Sequence, residues 1–307
     1  MSTTNSTSSA RSRPVWLTPA IEGGLWMIGG GAGVTAMVTI VRYFAGEYSP
    51  FELLFFRNVI GLMIMLPWVV KIARGGGRAL VSRIPLLQVT RMAFSYVAML
   101  SWFFAVMLIP LADAVALHFT LPLFTTLGAA LILKERLDLP RLAAMGVAFA
   151  GVLIILRPGL QAFSPAALLV LLSAAAYGAT NLTLRALADH DPPNLTVLYG
   201  VALMAPFSLV PALFDWRTPV LADVPLLIGL GAAGVVAQLC LTRSFKAAAA
   251  SVVIPYDFLR LPMSAAAAYV FFSESLDAYT WAGALVIFGA TTYIVRRESK
   301  LRAKTPS

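Results

Sequence analysis

The sequence predicts an all-α integral membrane protein: ten transmembrane helices as two inverted five-helix repeats. Three observations carry that prediction. Hydrophobic residues make up 59% of the chain and charged residues 12%, against about 25% charged in a typical soluble domain. Ten apolar segments follow one another with short polar joints, each close to the roughly twenty residues that cross a bilayer as a helix. The basic residues fall on alternate joints, and the two halves echo each other in sequence.

The spans of the first half lie near Gly23–Tyr43, Phe51–Val70, Ile84–Met107, Asp113–Leu133 and Leu142–Leu156. Those of the second half lie near Pro165–Leu184, Leu195–Phe214, Val224–Thr242, Ala249–Phe272 and Thr280–Val295. Residues 1–20 are polar and lack an apolar core, which predicts a disordered cytoplasmic tail rather than a cleaved signal peptide. The predicted units are then 21–157 for the first repeat, 158–296 for the second, and 297–307 for a basic cytoplasmic tail.

Orientation follows from the basic residues. With the N-terminus inside, inner segments hold seventeen Lys and Arg residues, among them Lys71, Arg74, Lys134, Arg136, Arg243 and Arg296. The outer joints hold three, Arg42, Arg157 and Arg217. Positive charge concentrates on the cytoplasmic side, so both termini are expected there. The net charge of +9 therefore belongs to membrane orientation and not to nucleic-acid binding. A single cysteine, Cys240, excludes an intrachain disulfide and a cysteine metal cluster.

Lys134-Glu135-Arg136-Leu137-Asp138 follows the fourth span and Ser273-Glu274-Ser275-Leu276-Asp277 follows the ninth. Each is preceded by a Leu-Pro pair, Leu121-Pro122 and Leu261-Pro262. Five is an odd number of crossings, so the second copy runs upside down relative to the first. Such repeats build sites near the midplane, between the two copies. Runs of small residues, Gly29-Gly30-Gly31-Ala32-Gly33 above all, predict close helix contacts. That glycine run lacks the Lys-Ser/Thr ending of a phosphate-cradling loop.

The ninth span places Asp257 and Arg260 at mid-membrane, between Pro255 and Pro262. A charge at that depth costs at least about 2.5–3.5 kcal/mol on insertion scales, so it needs a partner or a wet cavity. Three residues apart on a helix, the two can pair. The prolines are expected to bend the span. This stretch reads as one wall of a solute site: Arg260 as a clamp for an acidic group, Asp257 as its counter-ion, a cation site or a proton carrier, and Tyr256 beside them.

Other spans supply further candidates. Arg57 either faces the cavity or snorkels to the outer interface. Arg91 either clamps a solute or locks the third helix to the ninth through Asp257. His118 either relays protons and binds ligand or makes a helix–helix hydrogen bond. Tyr96, Tyr177 and Asn181 carry polar tips inside spans, where some line the cavity and others pack. His190 in Asp189-His190-Asp191 reads as solvated; neither a metal site nor a cofactor is expected.

Pro50-Phe51-Glu52-Leu53-Leu54-Phe55-Phe56-Arg57, the Pro122 helix running into Lys134-Glu135-Arg136-Leu137, and the echo at Glu274 resemble the drug/metabolite transporter superfamily, in its EamA-type branch. That resemblance implies ten helices in two inverted repeats and secondary transport of a small metabolite by alternating access. Pro255-Tyr256-Asp257-Phe258-Leu259-Arg260 resembles the ninth helix of members that take up riboflavin or S-adenosylmethionine. Amino acids and similar solutes are further options, and export of drugs or toxic metabolites is the alternative. The expected partners are a small-molecule solute and the lipid bilayer of a bacterial inner membrane. A proton is the candidate coupling ion, no nucleic acid is expected, and the chain reads as a monomer or homodimer. An embedded enzyme would need a His-Glu-x-x-His or Gly-x-Ser-x-Gly pattern, which is absent. A channel would need a filter or a charged ring, and none is visible.

Overall fold

A computed structural model describes residues 19–74, 80–132, 139–156, 165–188, 190–248, 253, 256–257, 259–274 and 277–304. Eleven α-helices of eight residues or more lie among them. They are α1 (Pro19–Tyr43), α2 (Pro50–Arg74), α3 (Pro85–Leu108), α4 (Leu111–His118), α5 (Leu121–Ile132) and α6 (Leu139–Leu156). The second half gives α7 (Pro165–Ala188), α8 (Pro193–Ala212), α9 (Val224–Ala247), α10 (Arg260–Phe272) and α11 (Ala278–Lys304). These make ten spans, because α4 and α5 are two pieces of the fourth and α10 is the second piece of the ninth. Seven segments are long and apolar enough to cross a bilayer, with Leu111–Gly128 counted as one. The outward surface is apolar as well: Leu86, Met63, Leu139, Val270 and Phe271 are all exposed, as lipid-facing side chains are.

The packing is symmetric under exchange of the two halves. α1 packs on α9 and, correspondingly, α7 packs on α3. α5 of the fourth span meets α7, while α10 of the ninth meets α1. α2 meets α9 as α8 meets α3. The remaining principal contacts, α2 with α8, α6 with α11 and the fourth span with the ninth through α4 and α10, each join a span to its own counterpart. This is the pattern of a pseudo-two-fold axis between inverted repeats.

Small residues allow these approaches, as the glycine run predicts. A Cβ on Gly33 would stand 3.1 Å from the Ala233 carbonyl and from Ala237, and one on Gly30 would stand 3.0 Å from Leu241, all on α9. Gly151 of α6 and Gly283 of α11 touch through backbone, where a Cβ on Gly283 would lie 2.6 Å from the Gly151 carbonyl. Buried apolar side chains such as Val38, Phe103, Leu117, Val170 and Leu230 fill the space between these helices.

Polar contacts fasten each end. α2 starts with a capping box: the Ser49 N–H donates to Glu52 (2.8 Å) and the Glu52 N–H to the Ser49 hydroxyl (3.2 Å). Glu52 also accepts from the Arg217 N–H at 2.6 Å. At the C-terminal end of α1, Arg42 donates to the Val106 and Met107 carbonyls and pairs with Glu274 at 2.8 Å. Glu274 in turn accepts the Leu111 N–H at the start of α4. At the other end Asp191 accepts from the Ser82 hydroxyl, the Arg83 N–H and Gln88. Burial pushes the Asp191 carboxyl up, but these three donors outweigh it and hold the group below the usual range.

Two sequence expectations need correction. The fourth span is not one helix: α4 stops at His118, and Phe119 and Thr120 form a turn before α5. Pro262 does not kink a helix interior either, because α10 begins at Arg260 and Pro262 sits in its first turn. A first turn has N–H groups without intrahelical partners, so proline loses nothing there. Pro122 likewise sits in the first turn of α5. Each Leu-Pro pair therefore opens the second piece of a divided span. Leu133, the Lys134–Asp138 motif, Arg157, residues 1–18, Asp189, Pro255, Phe258 and the 305–307 end of the tail lie outside the described residues.

Candidate solute site at two divided helices

The divisions of the fourth and ninth spans meet. The Arg260 guanidinium stands over the Phe119 ring, 4.9 Å from its centroid, within the reach of a cation–π contact. Arg260 also faces Asp257 at 3.7 Å, the i,i+3 pair expected from sequence. That separation exceeds a hydrogen bond, and the buried Arg260 Nε has no partner among the described residues. The guanidinium is thus held by a ring face and a distant carboxylate, and its donors are under-used.

His118, next to Phe119, is buried between two aromatic rings. Its centroid lies 4.5 Å from Trp102 of α3 and 5.5 Å from Tyr177 of α7. Neither ring nitrogen finds a hydrogen-bond partner among the described residues. The helix–helix hydrogen bond, one of the two sequence readings, is therefore not formed there. Tyr177 donates to Met99 Sδ at 3.3 Å and lies within electrostatic range of both Arg57 and Arg260. Asn181 follows Tyr177 by one helical turn on the same face of α7.

Arg57 turns inward. Its Nε donates to Met37 Sδ of α1 at 3.3 Å and its Nη1 to Asn58 Oδ1 at 2.9 Å. A Cβ on Gly234 of α9 would lie 2.9 Å from Arg57 Nε and 3.3 Å from Nη2. The bare backbone of Gly234 thus gives the guanidinium room between helices, and snorkelling to the outer interface does not occur.

The other sequence candidates lie elsewhere. Arg91 Nη2 donates to the Thr196 carbonyl of α8 at 2.6 Å and packs on Gly200. It locks α3 to α8, not to Asp257. Tyr96 donates to the Phe207 carbonyl at 3.1 Å and joins the same two helices. The Tyr256 ring lies on Gly24 of α1, where a Cβ would be 3.0 Å away. His190 is exposed, with Nδ1 3.1 Å from the Ala186 carbonyl. Among the described residues no group of three His, Cys, Asp or Glu could hold a metal.

Phe119 and Asn58 were not foreseen, and Gly234 is expected from sequence only as one of the small residues that allow close helix contact. Phe119 reads in sequence as one more apolar residue, although its place between His118 and a Leu-Pro pair marks a helix division. Asn58, fully buried beside Arg57, offers a signal of its own: an amide inside a span needs a partner.

The EamA-like transporter family model matches the chain twice, over residues 21–157 and 164–296. The chain belongs to the EamA-like transporter family. The double match falls on the two halves that the packing relates to each other. A riboflavin transporter from Rhizobium johnstonii is 30% identical over 288 residues, 93% of this chain and 94% of that one. An S-adenosylmethionine uptake transporter from Rickettsia bellii is 29% identical and covers 86% of this chain and 89% of its own length. A pseudopaline exporter from Pseudomonas aeruginosa is 29% identical over 85% of this chain and 92% of its own. A solved crystal structure with 20% identity superposes with a TM-score of 0.61, over 90% of this chain and 98% of that one. At that identity it supports the fold alone. As an EamA-like protein the chain is a membrane-embedded secondary transporter of small metabolites and not an enzyme.

Proposed function

We propose that the protein imports a small metabolite with a flat nitrogen heterocycle across a bacterial inner membrane. The observation that carries this reading is the meeting of the two divided spans, which brings Arg260, Asp257, Phe119 and His118 together with Trp102 and Tyr177. Aromatic faces suit a flat ring through stacking, and free imidazole nitrogens can bond its edge. Riboflavin and S-adenosylmethionine, named for two of the relatives, both contain such a ring. Alternating access follows if the unit 21–157 rocks against 158–296 around this site. Both termini lie in the cytoplasm, as the positive-inside asymmetry supports. The drive is a gradient, with the proton as candidate ion.

Proteoliposomes loaded with an imposed proton gradient and offered a metabolite panel test the reading by mass spectrometry. The panel holds riboflavin, S-adenosylmethionine, amino acids and nucleotides. Saturable accumulation of a ring-bearing solute is expected, and Arg260→Ala is expected to abolish or greatly weaken it while the protein remains in the membrane. Normal uptake by that variant at normal expression removes Arg260 from the site. Export is the second reading, favoured by the pseudopaline exporter relative. Net efflux from preloaded vesicles without matching uptake would select it.

A further inference from the structure

We propose that the transported solute carries an anionic group, a carboxylate or a phosphate, and that Arg57 binds it. The proposal rests on the solute site described above and adds a charge requirement to it.

Away from the first turns of the helices, the charges midway along the spans include Arg57, Arg91, Asp257 and Arg260. Arg91 is docked on the Thr196 carbonyl and lies outside the site. Of the two guanidiniums that remain, Arg260 has Asp257 beside it; Glu52 accepts the Ser49 and Arg217 N–H groups and Asp113 accepts the Thr280 hydroxyl. Arg57 has a thioether and an amide as its hydrogen-bond partners, both neutral. Those two bonds use Nε and Nη1 and leave Nη2 without a partner among the described residues.

A buried cation is normally matched by a counter-charge, because burying an unpaired ion is expensive. Among the described residues no carboxylate bonds to Arg57. An anionic solute group would pair with its guanidinium and accept from Nη2. A cation would be repelled by it, and a neutral solute would leave it uncompensated. His118 is a further buried polar group, with no hydrogen-bond partner for either ring nitrogen among the described residues. A guanidinium prefers carboxylate and phosphate to other acceptors, since its planar fork matches two of their oxygens.

Two arms on the purified protein in lipid nanodiscs test this. In the first, the melting temperature is read in phosphate and in acetate against chloride at equal ionic strength. Phosphate or acetate is expected to raise it in the wild type and not in Arg57→Gln. In the second, three flavins share one ring and differ in charge: riboflavin is neutral, flavin mononucleotide bears a phosphate, and 10-carboxymethylflavin bears a carboxylate. At least one of the anionic flavins is expected to bind about tenfold tighter than riboflavin, with the ratio falling towards one in Arg57→Gln. Equal binding of all three flavins overturns the anion proposal and leaves the ring reading intact. Stabilisation by the simple anions with no flavin bound supports the anion proposal and overturns the ring reading. Neither effect overturns both. Should Arg57→Gln fail to fold, Gly234→Ala, which displaces the Arg57 guanidinium, takes its place: the anionic preference is expected to fall in it, and an unchanged preference overturns the assignment to Arg57.

Discussion

Gly234→Ala should weaken transport without weakening the fold. The added Cβ would stand 2.9 Å from Arg57 Nε and 3.3 Å from Cζ and Nη2. It meets the far end of a flexible side chain and no backbone, so the guanidinium can move away. To regain ordinary contact it must retreat from 2.9 Å to 3.4 Å, about 0.5 Å. That displacement turns the fork from its present partners, Met37 Sδ and Asn58 Oδ1. If a solute anion is held by a charge-assisted bond, its loss costs about 1.5–3 kcal/mol, or roughly 10–150-fold in affinity. The helix itself gains, since alanine is favoured over glycine by up to about 1 kcal/mol. The assay is uptake into proteoliposomes at varied solute concentration, beside a melting curve of the same preparation. Gly146→Ala on α6, where a Cβ meets nothing within 4 Å, is the control. An apparent affinity at least tenfold weaker with an unchanged melting temperature is expected. Unchanged affinity in a folded variant refutes the placement of Arg57 on the solute path.

Two further substitutions test the scaffold. Gly283→Ala places a Cβ 2.6 Å from the Gly151 carbonyl and 2.5 Å from Ile155; backbone cannot yield as a side chain does, so a loss of about 1–3 kcal/mol is expected, read as a lower melting temperature with the solute preference preserved. Asp191→Asn removes a carboxylate held below its usual range by Ser82, Arg83 and Gln88; a depressed folded pKa gives stability above the unfolded value of about 3.9 that fades as pH falls through the folded one. The wild type is therefore expected to melt above the variant at pH 7 and to lose that advantage below about pH 4, whereas a gap that widens on acidification would contradict the assignment.

Much of this was legible in the sequence because the bilayer restricts the options. Apolar runs of span length, one-sided basic joints and an odd repeat leave little room for another architecture. The Asp257–Arg260 pair was legible from spacing alone. What sequence could not decide is where a long side chain goes. Arg57 and Arg91 look alike as arginines two turns inside a helix, yet one turns to Met37 and Gly234 and the other to a carbonyl of α8. The decision belongs to the neighbouring helix: Gly234 leaves a space beside Arg57, and Gly200 leaves one beside Arg91. Both spaces lie more than a hundred residues away in sequence. The helix division at Phe119 was hidden for another reason. Leu-Pro within an apolar run reads equally as a kink or as a new first turn, and tertiary contact with Arg260 accompanies the second.

The arginines also differ in how fully they are satisfied, and this separates scaffold from site. Arg42 has two carbonyls and a carboxylate, all within 3.1 Å. Arg91 has one short bond to a carbonyl, and its Nε is left over. Arg260 has a ring face and a carboxylate at 3.7 Å, and Arg57 has only neutral partners. Satisfaction falls from the outer end, where repeats must be fastened, to the meeting of the divided spans. An unsatisfied buried donor costs about 1–3 kcal/mol, so a purely structural bundle would gain by pairing these groups. A carrier has a reason to leave them unpaired. Donors already saturated by protein would have to break those bonds before holding a solute, and the affinity would be reduced by that amount. Donors left open can bind a solute acceptor at once. Under-satisfaction at the divisions is thus what the proposed site, which must both capture and release, requires.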